Sequence, residues 1–366
     1  MISYGRQSIG DDDVRAVVST LMSDFITQGP KVTEFETALA NYCGAFHCAV
    51  ASNGTAALHL AYLAAGICKD DEVIVTPNTF VATTNMILAC GAKPVFCDIR
   101  SDTYNIDEGK IEELITKNTR AIVVVDFAGQ PCNLDRIREI ANKHKLVFIE
   151  DACHALGADY KGRKVGGLAD FTIFSFHPVK GITTGEGGAI LTNNKDAYEK
   201  MCLIRSHGVV KDENGFNIMT EFGFNYRLTD IQCALGLSQL KKLDRFITKR
   251  HAVVQAYERE LGNFDKIILP KTTDEVRSAW HLYVIRVKDR EKRLPLHHHL
   301  RSKGILTNLH YPAVYNNPYY RKNGFGDVAL ANMDLYAETA ITIPCYPDLP
   351  IEQIKFICNE ICSFYN

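Results

Sequence analysis

The stretch Leu146-Val-Phe-Ile-Glu-Asp-Ala-Cys-His154 joins a short apolar run directly to two acidic residues and a histidine. A run of this length between polar segments is typical of a buried strand. Six similar runs lie between residues 46 and 192: Cys48-Ala-Val-Ala, Val73-Ile-Val, Pro94-Val-Phe-Cys, Ala121-Ile-Val-Val-Val, Phe171-Thr-Ile-Phe-Ser-Phe and Ala189-Ile-Leu. Amphipathic stretches alternate with them, which predicts βαβ units and an α/β fold with a mostly parallel central sheet.

Helices are predicted where apolar residues recur three and four positions apart. This spacing occurs in residues 106–115, Ile-Asp-Glu-Gly-Lys-Ile-Glu-Glu-Leu-Ile, and in residues 134–141, Leu-Asp-Arg-Ile-Arg-Glu-Ile-Ala. Near the N-terminus, Thr33-Glu-Phe-Glu36 fits a capping box, which predicts that a helix carrying Phe35 and Leu39 begins there. We expect this N-terminal arm to pack onto the large domain.

The C-terminal third of the chain has a looser pattern. After residue 240 it contains a long helical stretch, a strand around His281-Leu-Tyr-Val-Ile-Arg-Val and a final piece from Ile351 to Ser363. We therefore predict an N-terminal arm and large cofactor-binding domain over residues 1–240. A small C-terminal α/β domain is predicted over residues 241–366.

Composition restricts the classes of partner. The net charge of the 366 residues is −2 and both signs are scattered, so no basic stripe is available for nucleic acid. No apolar run approaches the roughly 18 residues of a membrane span, and Met1-Ile-Ser-Tyr-Gly-Arg lacks the apolar segment of a secretory signal. The twelve cysteines include no CxxC pair, which favours reduced thiols. We expect a cytoplasmic protein that binds neither nucleic acid nor membrane.

The residues that follow the apolar runs are the first candidates for a site, because ligands of open α/β sheets bind beyond the carboxyl ends of the strands. Ser52-Asn-Gly-Thr55 follows one run and opens a helix. Small residues and free helix amides are typical of a phosphate site. An ordinary helix cap by Ser52 or Asn53 is the alternative.

Asp151 and His154 follow the run from Leu146. A carboxylate at the end of a buried strand could keep a pyridine nitrogen protonated, which makes the ring an electron sink. A helix cap after the strand is the alternative for Asp151. His154 could support Asp151 or the ring, and a hydrogen-bonded core histidine is the alternative for it.

Lys180 follows the run over residues 171–176 and precedes Gly181-Ile-Thr-Thr-Gly-Glu-Gly-Gly188. A lysine amine is nucleophilic only when it is uncharged, and a dry site beside other positive charge lowers its pKa for covalent bonding to a carbonyl. Taken alone, a surface lysine is the favoured interpretation. The segment from Ser52 to Thr55 (the phosphate cup), the acid Asp151 and the amine of Lys180 lie at three strand ends of one sheet. Together they predict a pyridoxal phosphate site.

Eight motifs are spread over essentially the whole chain: Thr27-Gln-Gly-Pro, Ser52-Asn-Gly-Thr-Ala-Ala-Leu, Pro77-Asn-Thr-Phe-Val-Ala-Thr, Glu150-Asp-Ala-Cys-His-Ala, Phe174-Ser-Phe-His-Pro-Val-Lys, Thr183-Thr-Gly-Glu-Gly-Gly, Arg205-Ser-His-Gly and Phe224-Asn-Tyr-Arg-Leu. With these motifs the chain resembles the DegT/DnrJ/EryC1/StrS family of sugar-nucleotide aminotransferases. The resemblance implies the fold type I architecture of enzymes that use pyridoxal 5′-phosphate.

By this resemblance, Lys180 would bind pyridoxal 5′-phosphate covalently and Asp151 would pair with its pyridine nitrogen. Both would be catalytic. His154 would lie beside that pair and Phe80 against the ring. The resemblance also implies further cofactor-binding residues: Asn53, Gly54, Thr55, Ser175, Asn225 and Arg227.

The resemblance implies partners as well. In this family the asparagine at the position of Asn225 comes from a second subunit, so a homodimer with shared active sites is expected; a loop cap is the alternative for Asn225. The nucleotide sugar would contact Tyr4, Asp24, Phe25, Ile26, Thr27, Asn53, Ser175, Asn225, His310, Tyr311, Pro312 and Ala313.

The implied reaction follows from three segments, His177 to Thr184, Val125 to Gly129 and Arg205 to Val210. They are most similar to enzymes that aminate C4 of a UDP-4-keto-6-deoxy-N-acetylhexosamine on the route to pseudaminic acid, with glutamate as donor and 2-oxoglutarate as product. One alternative is another nucleotide-linked 4-keto-6-deoxy sugar, of the legionaminic, bacillosamine or perosamine type. The others are sugar dehydration, for which family members carry histidine in place of Lys180, and a non-catalytic regulatory protein that binds the cofactor.

One further motif, His297-His-His299, raises the question of a metal site. Three consecutive side chains on a helix point in different directions, so they cannot converge on one ion. We expect a solvated helix face there and no metal.

Overall fold

The computed structural model describes residues 1–366. The helices are α1 Asp11–Leu21, α2 Pro30–Cys43, α3 Gly54–Ala64, α4 Ala82–Ala89, α5 Leu134–His144, α6 Lys195–Arg205, α7 Asp230–Leu240, α8 Leu243–Leu261, α9 Arg293–Ser302, α10 Pro318–Lys322, α11 Ala331–Thr339 and α12 Ile351–Ser363. The strands are β1 Ile2–Ser3, β2 His47–Ala51, β3 Glu72–Val75, β4 Lys93–Phe96, β5 Thr119–Val125, β6 Val147–Asp151, β7 Asp159–Tyr160, β8 Arg163–Lys164, β9 Phe171–Ser175, β10 Gly188–Thr192, β11 Val209–Lys211, β12 Asn217–Met219, β13 Ile267–Ile268, β14 Val276–Arg277, β15 Tyr283–Val287, β16 Ile305–Leu306 and β17 Ala340–Ile343. All seven apolar runs of the sequence coincide with strands, as predicted.

The central sheet contains these seven strands in the order β2-β10-β9-β6-β5-β3-β4. The strands from β9 to β4 are parallel to their neighbours, whereas β10 is antiparallel to both β9 and β2. Because β2 and β9 both oppose β10, they run in the same direction as the other parallel strands. Their carboxyl ends therefore lie at one edge, and the predicted α/β fold with a mostly parallel sheet is confirmed.

Both faces of the sheet are buried, which explains why its strands are almost continuously apolar. In β5, Ala121 and Val123 belong to the cluster that includes helix α3. Ile122 and Val124 alternate with them and pack with Ile137 of helix α5 on the opposite face. The period of two within one apolar run thus gives each face its own layer of helices.

The helix predicted for residues 106–115 is wrong. The segment forms two short 3₁₀ turns, at Glu108–Lys110 and Glu112–Leu114. The side chain of Asp107 accepts a hydrogen bond from the Gly109 amide across 3.1 Å, which favours a tight turn at that point. Gly109 also lowers the helix propensity in the interior of the segment.

The predicted capping box at Thr33 is wrong as well, because α2 begins three residues earlier, at Pro30. The carboxylate of Asp230, from helix α7, caps this end by accepting hydrogen bonds from the amides of Gly29 and Lys31, at 2.5 and 2.8 Å. Glu36 forms a buried ion pair with Arg205 at 2.6 Å instead of reaching back to the helix start. The helix itself carries Phe35 and Leu39 into the core, as expected.

The C-terminal part contains a three-stranded sheet in the order β13-β15-β17. Helices α8, α9 and α12 share a hydrophobic cluster with it, and α12 matches the predicted final segment. Several contacts cross residue 240: β1 pairs with β16, β7 pairs with β14, and Tyr315 and Tyr336 pack in the cluster of the central sheet. The boundary at residue 240 therefore stays a prediction. No helix of the chain has the length and apolarity needed to cross a membrane.

The three consecutive histidines on α9 have different surroundings. His297 lies 2.8 Å from the Thr307 hydroxyl and His299 lies 3.1 Å from the Glu360 carboxylate, so both are partly buried. His298 is exposed. The expected solvated face is therefore found at His298 alone.

Candidate active site

The carboxyl edge of the central sheet brings together the segments that follow β2, β6 and β9. A Cβ atom built on Gly54, just after β2, would lie 3.0 Å from Cβ of Ser175 at the end of β9 and 3.6 Å from Sγ of Cys153 after β6. Residues about 20 to 120 positions apart in sequence therefore meet at one place, as expected for the ends of parallel strands.

Helix α3 begins at this place with a polar, open turn. Asn53 caps it, because its side-chain oxygen accepts a hydrogen bond from the Ala56 amide across 2.8 Å. Asn53 is therefore a helix cap, as the alternative interpretation held. The amides of Gly54 and Thr55 have no partners inside the helix. Thr55 is exposed and Ser175 is partly exposed. Free amides and hydroxyls at the positive end of a helix suit a phosphate group.

Asp151 ends β6 with only 5% of its surface exposed. One carboxylate oxygen accepts a hydrogen bond from the Thr83 hydroxyl across 2.7 Å, and the other accepts one from the Cys153 amide across 3.2 Å. No helix follows β6 before α6, so the helix-cap alternative for Asp151 is wrong. The carboxylate is instead fixed at the sheet edge by two donors from the chain.

Lys180 lies in a turn after β9, in which its amide donates to the carbonyl of His177 across 2.8 Å. The residue is partly buried rather than on an open surface. Burial lowers the pKa of its ammonium group, and the nearby Cys153 and Asp151 oppose this shift. A lower pKa increases the fraction of uncharged amine, which is the nucleophilic form.

His154 has a fixed tautomer. Its Nδ1 accepts a hydrogen bond from the Ala128 amide across 3.3 Å, so the ring proton is on Nε2, which lies 3.3 Å from the Tyr311 hydroxyl. The ring centroid lies 4.4 Å from that of His281. Burial, with the charges of Lys180 and His310, holds the pKa of His154 well below its usual value.

Aromatic side chains form a wall beside His154. Phe80 is 59% exposed, and its ring centroid lies 6.4 Å from that of Tyr311. Tyr4 packs against His310 with centroids 5.2 Å apart. Asn308 donates to Nε2 of His310 across 3.2 Å, so Nδ1 carries the proton and donates to Thr342 across 2.9 Å. Burial lowers the pKa of His310 to about 4.

The structure does not bring every predicted residue to this place. Asp24, Phe25, Ile26 and Thr27 form an exposed loop between α1 and α2, and none of their side chains forms a hydrogen bond within the chain. Pro312 is exposed, whereas Ala313 is fully buried in the main core.

Asn225 and Arg227 flank a residue that contacts the site through its backbone. The carbonyl of Tyr226 accepts a hydrogen bond from the Ser52 amide across 2.8 Å. The Asn225 side chain is exposed and Arg227 is partly exposed. Neither side chain has a hydrogen-bond partner within the chain, so both are free to face another molecule.

Sequence reasoning missed Thr79, Thr83 and His281. The two threonines stand in the quoted motif from Pro77, four residues apart, and the structure buries both beside Asp151. Polar residues at this spacing in a mostly apolar helix start were the available signal. His281 is buried against His154. Its neighbour Trp280 is also buried. No pattern in the sequence distinguished it from an ordinary strand residue.

Comparison with known proteins gives a consistent result. The DegT/DnrJ/EryC1/StrS aminotransferase family matches residues 7–362. The chain is 42% identical over 368 residues to a protein of Campylobacter jejuni named UDP-4-amino-4,6-dideoxy-N-acetyl-beta-L-altrosamine transaminase, covering 99% of this chain and 97% of the relative.

Solved structures agree with this match. Helicobacter pylori PseC, described as an aminotransferase involved in the biosynthesis of pseudoaminic acid, superposes with a TM-score of 0.96 at 35% identity, covering 100% of this chain and 99% of that one. A putative sugar aminotransferase from Streptococcus pneumoniae in its PLP-form gives a TM-score of 0.94 at 30% identity, covering 99% and 98% of the two chains.

Proposed function

Because the chain belongs to the DegT/DnrJ/EryC1/StrS aminotransferase family, we propose that it transfers the amino group of glutamate to the C4 ketone of a UDP-4-keto-6-deoxy-N-acetylhexosamine. The product would be UDP-4-amino-4,6-dideoxy-N-acetyl-β-L-altrosamine, the compound in the name of the Campylobacter jejuni relative. 2-Oxoglutarate is the second product. The observation that carries this proposal is the meeting of Lys180, Asp151 and the Gly54 turn at one sheet edge.

The residues at this edge fit pyridoxal 5′-phosphate. Gly54 leaves a space beside Ser175 that a Cβ atom would fill, and the helix start at Thr55 presents free amides to it. Asp151 keeps acceptor capacity beyond its two hydrogen bonds, because each carboxylate oxygen has two lone pairs. An anion site, an acceptor for a pyridine N–H and a lysine amine are the three groups that the cofactor requires.

When bound, pyridoxal 5′-phosphate supplies a carbonyl carbon for amines and an electron-poor ring that stabilises negative charge on the attached carbon. Asp151 would accept a hydrogen bond from the protonated ring nitrogen and so hold the ring in its electron-poor form. His154 offers its Nε2 proton to an oxygen acceptor beside Asp151, the role that Tyr311 fills in the free chain. Phe80 covers the face of the site with an apolar ring.

Lys180 is the residue that moves protons. Its uncharged amine takes a proton from Cα of glutamate in the first half-reaction, and its Nζ returns a proton to C4 of the sugar in the second. Both roles require a lysine that gains and loses a proton, and burial favours this by lowering the pKa of Lys180. A histidine at this position would lack the reach and the basicity of the primary amine.

The nucleotide sugar would enter along the wall formed by Tyr4, Phe80, His310 and Tyr311. The histidine is held neutral in this wall, since burial lowers its pKa to about 4. The tyrosine hydroxyls and the aromatic faces of this wall can bind sugar hydroxyl groups and rings without requiring a charged ligand. The exposed loop from Asp24 to Thr27 is proposed to contact the nucleotide sugar after dimerisation.

A homodimer is part of the proposal. Val14, Val18 and Leu21 are exposed on one face of α1. Phe216, Ile218 and Met219 are exposed on the hairpin formed by β11 and β12. Clusters of exposed apolar side chains favour an interface with another molecule. A two-fold dimer would cover each patch and bring Asn225 and Arg227 to the phosphate cup of the other subunit.

We also place the reaction in the cytoplasm, where both substrates would have to be available. Fractionation of cells that produce the tagged protein tests this location directly. Recovery of the protein in the periplasm or the membrane pellet would contradict it.

The decisive experiment incubates purified protein and pyridoxal 5′-phosphate with glutamate and a panel of UDP- and dTDP-4-keto-6-deoxy sugars. Mass spectrometry then identifies each product. Amination of the UDP-4-keto-6-deoxy-N-acetylhexosamine ahead of the other sugars supports the proposal, with Lys180→Ala as the inactive control. Preferred amination of a dTDP sugar would reassign the substrate, loss of a hydroxyl would indicate a dehydratase, and no turnover with bound cofactor would indicate a regulatory protein.

A further inference from the structure

The hydroxyls of two buried threonines, Thr83 and Thr79, form a chain of hydrogen bonds that ends at the carboxylate of Asp151. The Thr83 hydroxyl is 2.7 Å from Oδ2 of Asp151, and the Thr79 hydroxyl is 2.7 Å from that of Thr83. Thr79 and Thr83 are 3% and 1% exposed, so water does not compete for these contacts. The first turn of α4 holds them in place: the Thr83 amide donates to the Phe80 carbonyl, and the Tyr62 hydroxyl donates to the Thr83 carbonyl.

The direction of both hydrogen bonds follows from their partners. A carboxylate can only accept, so the single proton of the Thr83 hydroxyl points to Asp151. The Thr83 oxygen is then free to accept the proton of the Thr79 hydroxyl. Each donor polarises the next, so the pair presents a stronger donor to Asp151 than one hydroxyl would.

We propose that Thr83, with Thr79 behind it, is a positioning residue that keeps Asp151 ionised and aimed at the ring nitrogen of pyridoxal 5′-phosphate. This inference rests on the proposed function, because it requires the cofactor in the site. Thr83 acts through Asp151 and does not itself touch the cofactor.

The chemical effect concerns the proton shared by Asp151 and the ring nitrogen. A donor to the carboxylate makes it less basic, since hydrogen bonding to the charged form favours that form. The shared proton then stays on the ring nitrogen instead of moving to the acid. Without the Thr83 hydroxyl, Asp151 becomes more basic and the ring less electron-poor.

The same turn also places Phe80. Thr79 precedes Phe80 in sequence, and both hydroxyls point inward while the phenyl ring is 59% exposed. The segment from Thr79 to Thr83 therefore supplies both the phenyl ring that would cover the cofactor and the hydroxyl that bonds Asp151. This arrangement explains why polar residues occupy buried positions in an otherwise apolar helix start.

The experiment measures cofactor affinity, not turnover. Pyridoxal 5′-phosphate and 1-deazapyridoxal 5′-phosphate, which has carbon in place of the ring nitrogen, are titrated into the apo forms of the wild type, Thr83→Val, Thr83→Ser and Thr79→Val. Thr84→Val is the matched control, because Thr84 is the neighbouring buried threonine and its hydroxyl bonds Tyr320 at 2.6 Å instead of Asp151. Unfolding of each apo variant is followed in denaturant.

We expect Thr83→Val to weaken pyridoxal 5′-phosphate binding on the order of tenfold, as for loss of a hydrogen bond to a charged group, and to leave binding of the deaza analogue within about twofold. Thr83→Ser restores affinity and Thr84→Val changes neither ligand. Equal weakening of both ligands by Thr83→Val, or no weakening of either, overturns the proposal and leaves the proposed function intact.

If Thr83→Val does not fold, Thr79→Val carries the test, because it leaves Thr83 in place and removes the donor behind it. A selective loss for pyridoxal 5′-phosphate of about threefold is then expected, and no selective loss overturns the proposal. If the wild type binds neither ligand, the proposed function fails and the role of Thr83 fails with it.

Discussion

The main-chain amide of Ala128 donates a hydrogen bond to Nδ1 of His154 across 3.3 Å. An amide can only donate, so this contact requires an unprotonated Nδ1 and keeps the imidazole neutral. His281 packs against the same ring, and His310 lies nearby with its own two partners. Three buried histidines therefore lie near Lys180, and its charge helps to lower the pKa of each.

These histidines predict how stability depends on pH. Burial lowers the pKa of His154 and His281 well below the ordinary value and that of His310 to about 4. Between the unfolded-state pKa of about 6.5 and these lower values, the unfolded chain binds more protons than the folded chain. These histidines should therefore lower the free energy of unfolding as the pH falls from about 7.5 to about 5.5, by up to about 1.4 kcal/mol per pH unit for each one. Burial raises the pKa of Asp126 and of Glu150, which contribute with the opposite sign, so the comparison between variants isolates the histidines.

Denaturant unfolding of the apo protein at a series of pH values checks this dependence. His310→Asn should reduce the slope because it removes one of the three groups. His298→Asn is the control, since His298 is exposed and its replacement should leave the slope unchanged. An unchanged slope in His310→Asn would contradict a neutral buried histidine at this position.

The ion pair of Glu36 and Arg205 predicts a large mutational effect on stability. Both residues are 8% exposed, and Arg205 Nη1 also donates to the Val50 carbonyl across 2.6 Å. Arg205→Met leaves the Glu36 carboxylate buried without its partner, so we expect a loss of about 3–5 kcal/mol in the free energy of unfolding. The double variant Glu36→Gln with Arg205→Met should recover part of this loss, and equal losses in both variants would contradict the explanation.

Part of the structure could be predicted from the sequence because local pattern and tertiary environment agree there. All seven strands are apolar runs buried on both faces, and the ends at Asp151 and Lys180 follow from the direction of a parallel sheet. The same reasoning placed the segment from Asn53 at that edge. The direction of the strands could be predicted without knowing which residues distant in sequence contact one another.

The failures have a different physical origin. The start of α2 is set by Asp230, which lies about 200 positions away, so the local capping pattern at Thr33 was misleading. Residues 106–115 have helical spacing, but Gly109 and the Asp107 side chain favour tight turns. Thr83 has an ordinary helix position in sequence, and only the folded chain places its hydroxyl against Asp151.

Shared active sites can be tested by subunit complementation. Lys180→Ala and Asn225→Asp should each be inactive as homodimers, the second because a carboxylate would repel the cofactor phosphate. After dissociation and reassembly of equal amounts, half of the dimers are mixed, and one of the two sites in each has both wild-type residues. We expect activity to return to about a quarter of the wild-type value.

The mixture discriminates between the two placements of Asn225. If Asn225 served the site of its own subunit, every site in a mixed dimer would carry one of the two substitutions and no activity would return. Size-exclusion chromatography of the reassembled protein must show dimers for this comparison. A monomeric wild type would contradict the dimer proposal directly.

Gly54 predicts a loss of cofactor binding with little loss of stability. In Gly54→Ala the new Cβ atom would lie 3.0 Å from Cβ of Ser175, inside the proposed phosphate cup. Alanine is a better helix former than glycine, so the fold should be retained. We expect pyridoxal 5′-phosphate to bind about tenfold more weakly, as judged by fluorescence titration.

Gly10→Ala is a suitable control for this variant. It makes the same change at the start of α1, where the added Cβ atom would meet the flexible Asp12 carboxylate. Its cofactor affinity should equal that of the wild type. Unchanged affinity in Gly54→Ala would show that the phosphate lies elsewhere.

The most direct test of the account is the covalent position of the cofactor. The protein is loaded with pyridoxal 5′-phosphate, reduced with borohydride to make the bond to lysine permanent, digested and examined by peptide mass spectrometry. We predict a phosphopyridoxyl group on Lys180 and on no other lysine. A group attached to a different lysine, or no stable modification of the loaded protein, would contradict the assignment of Lys180.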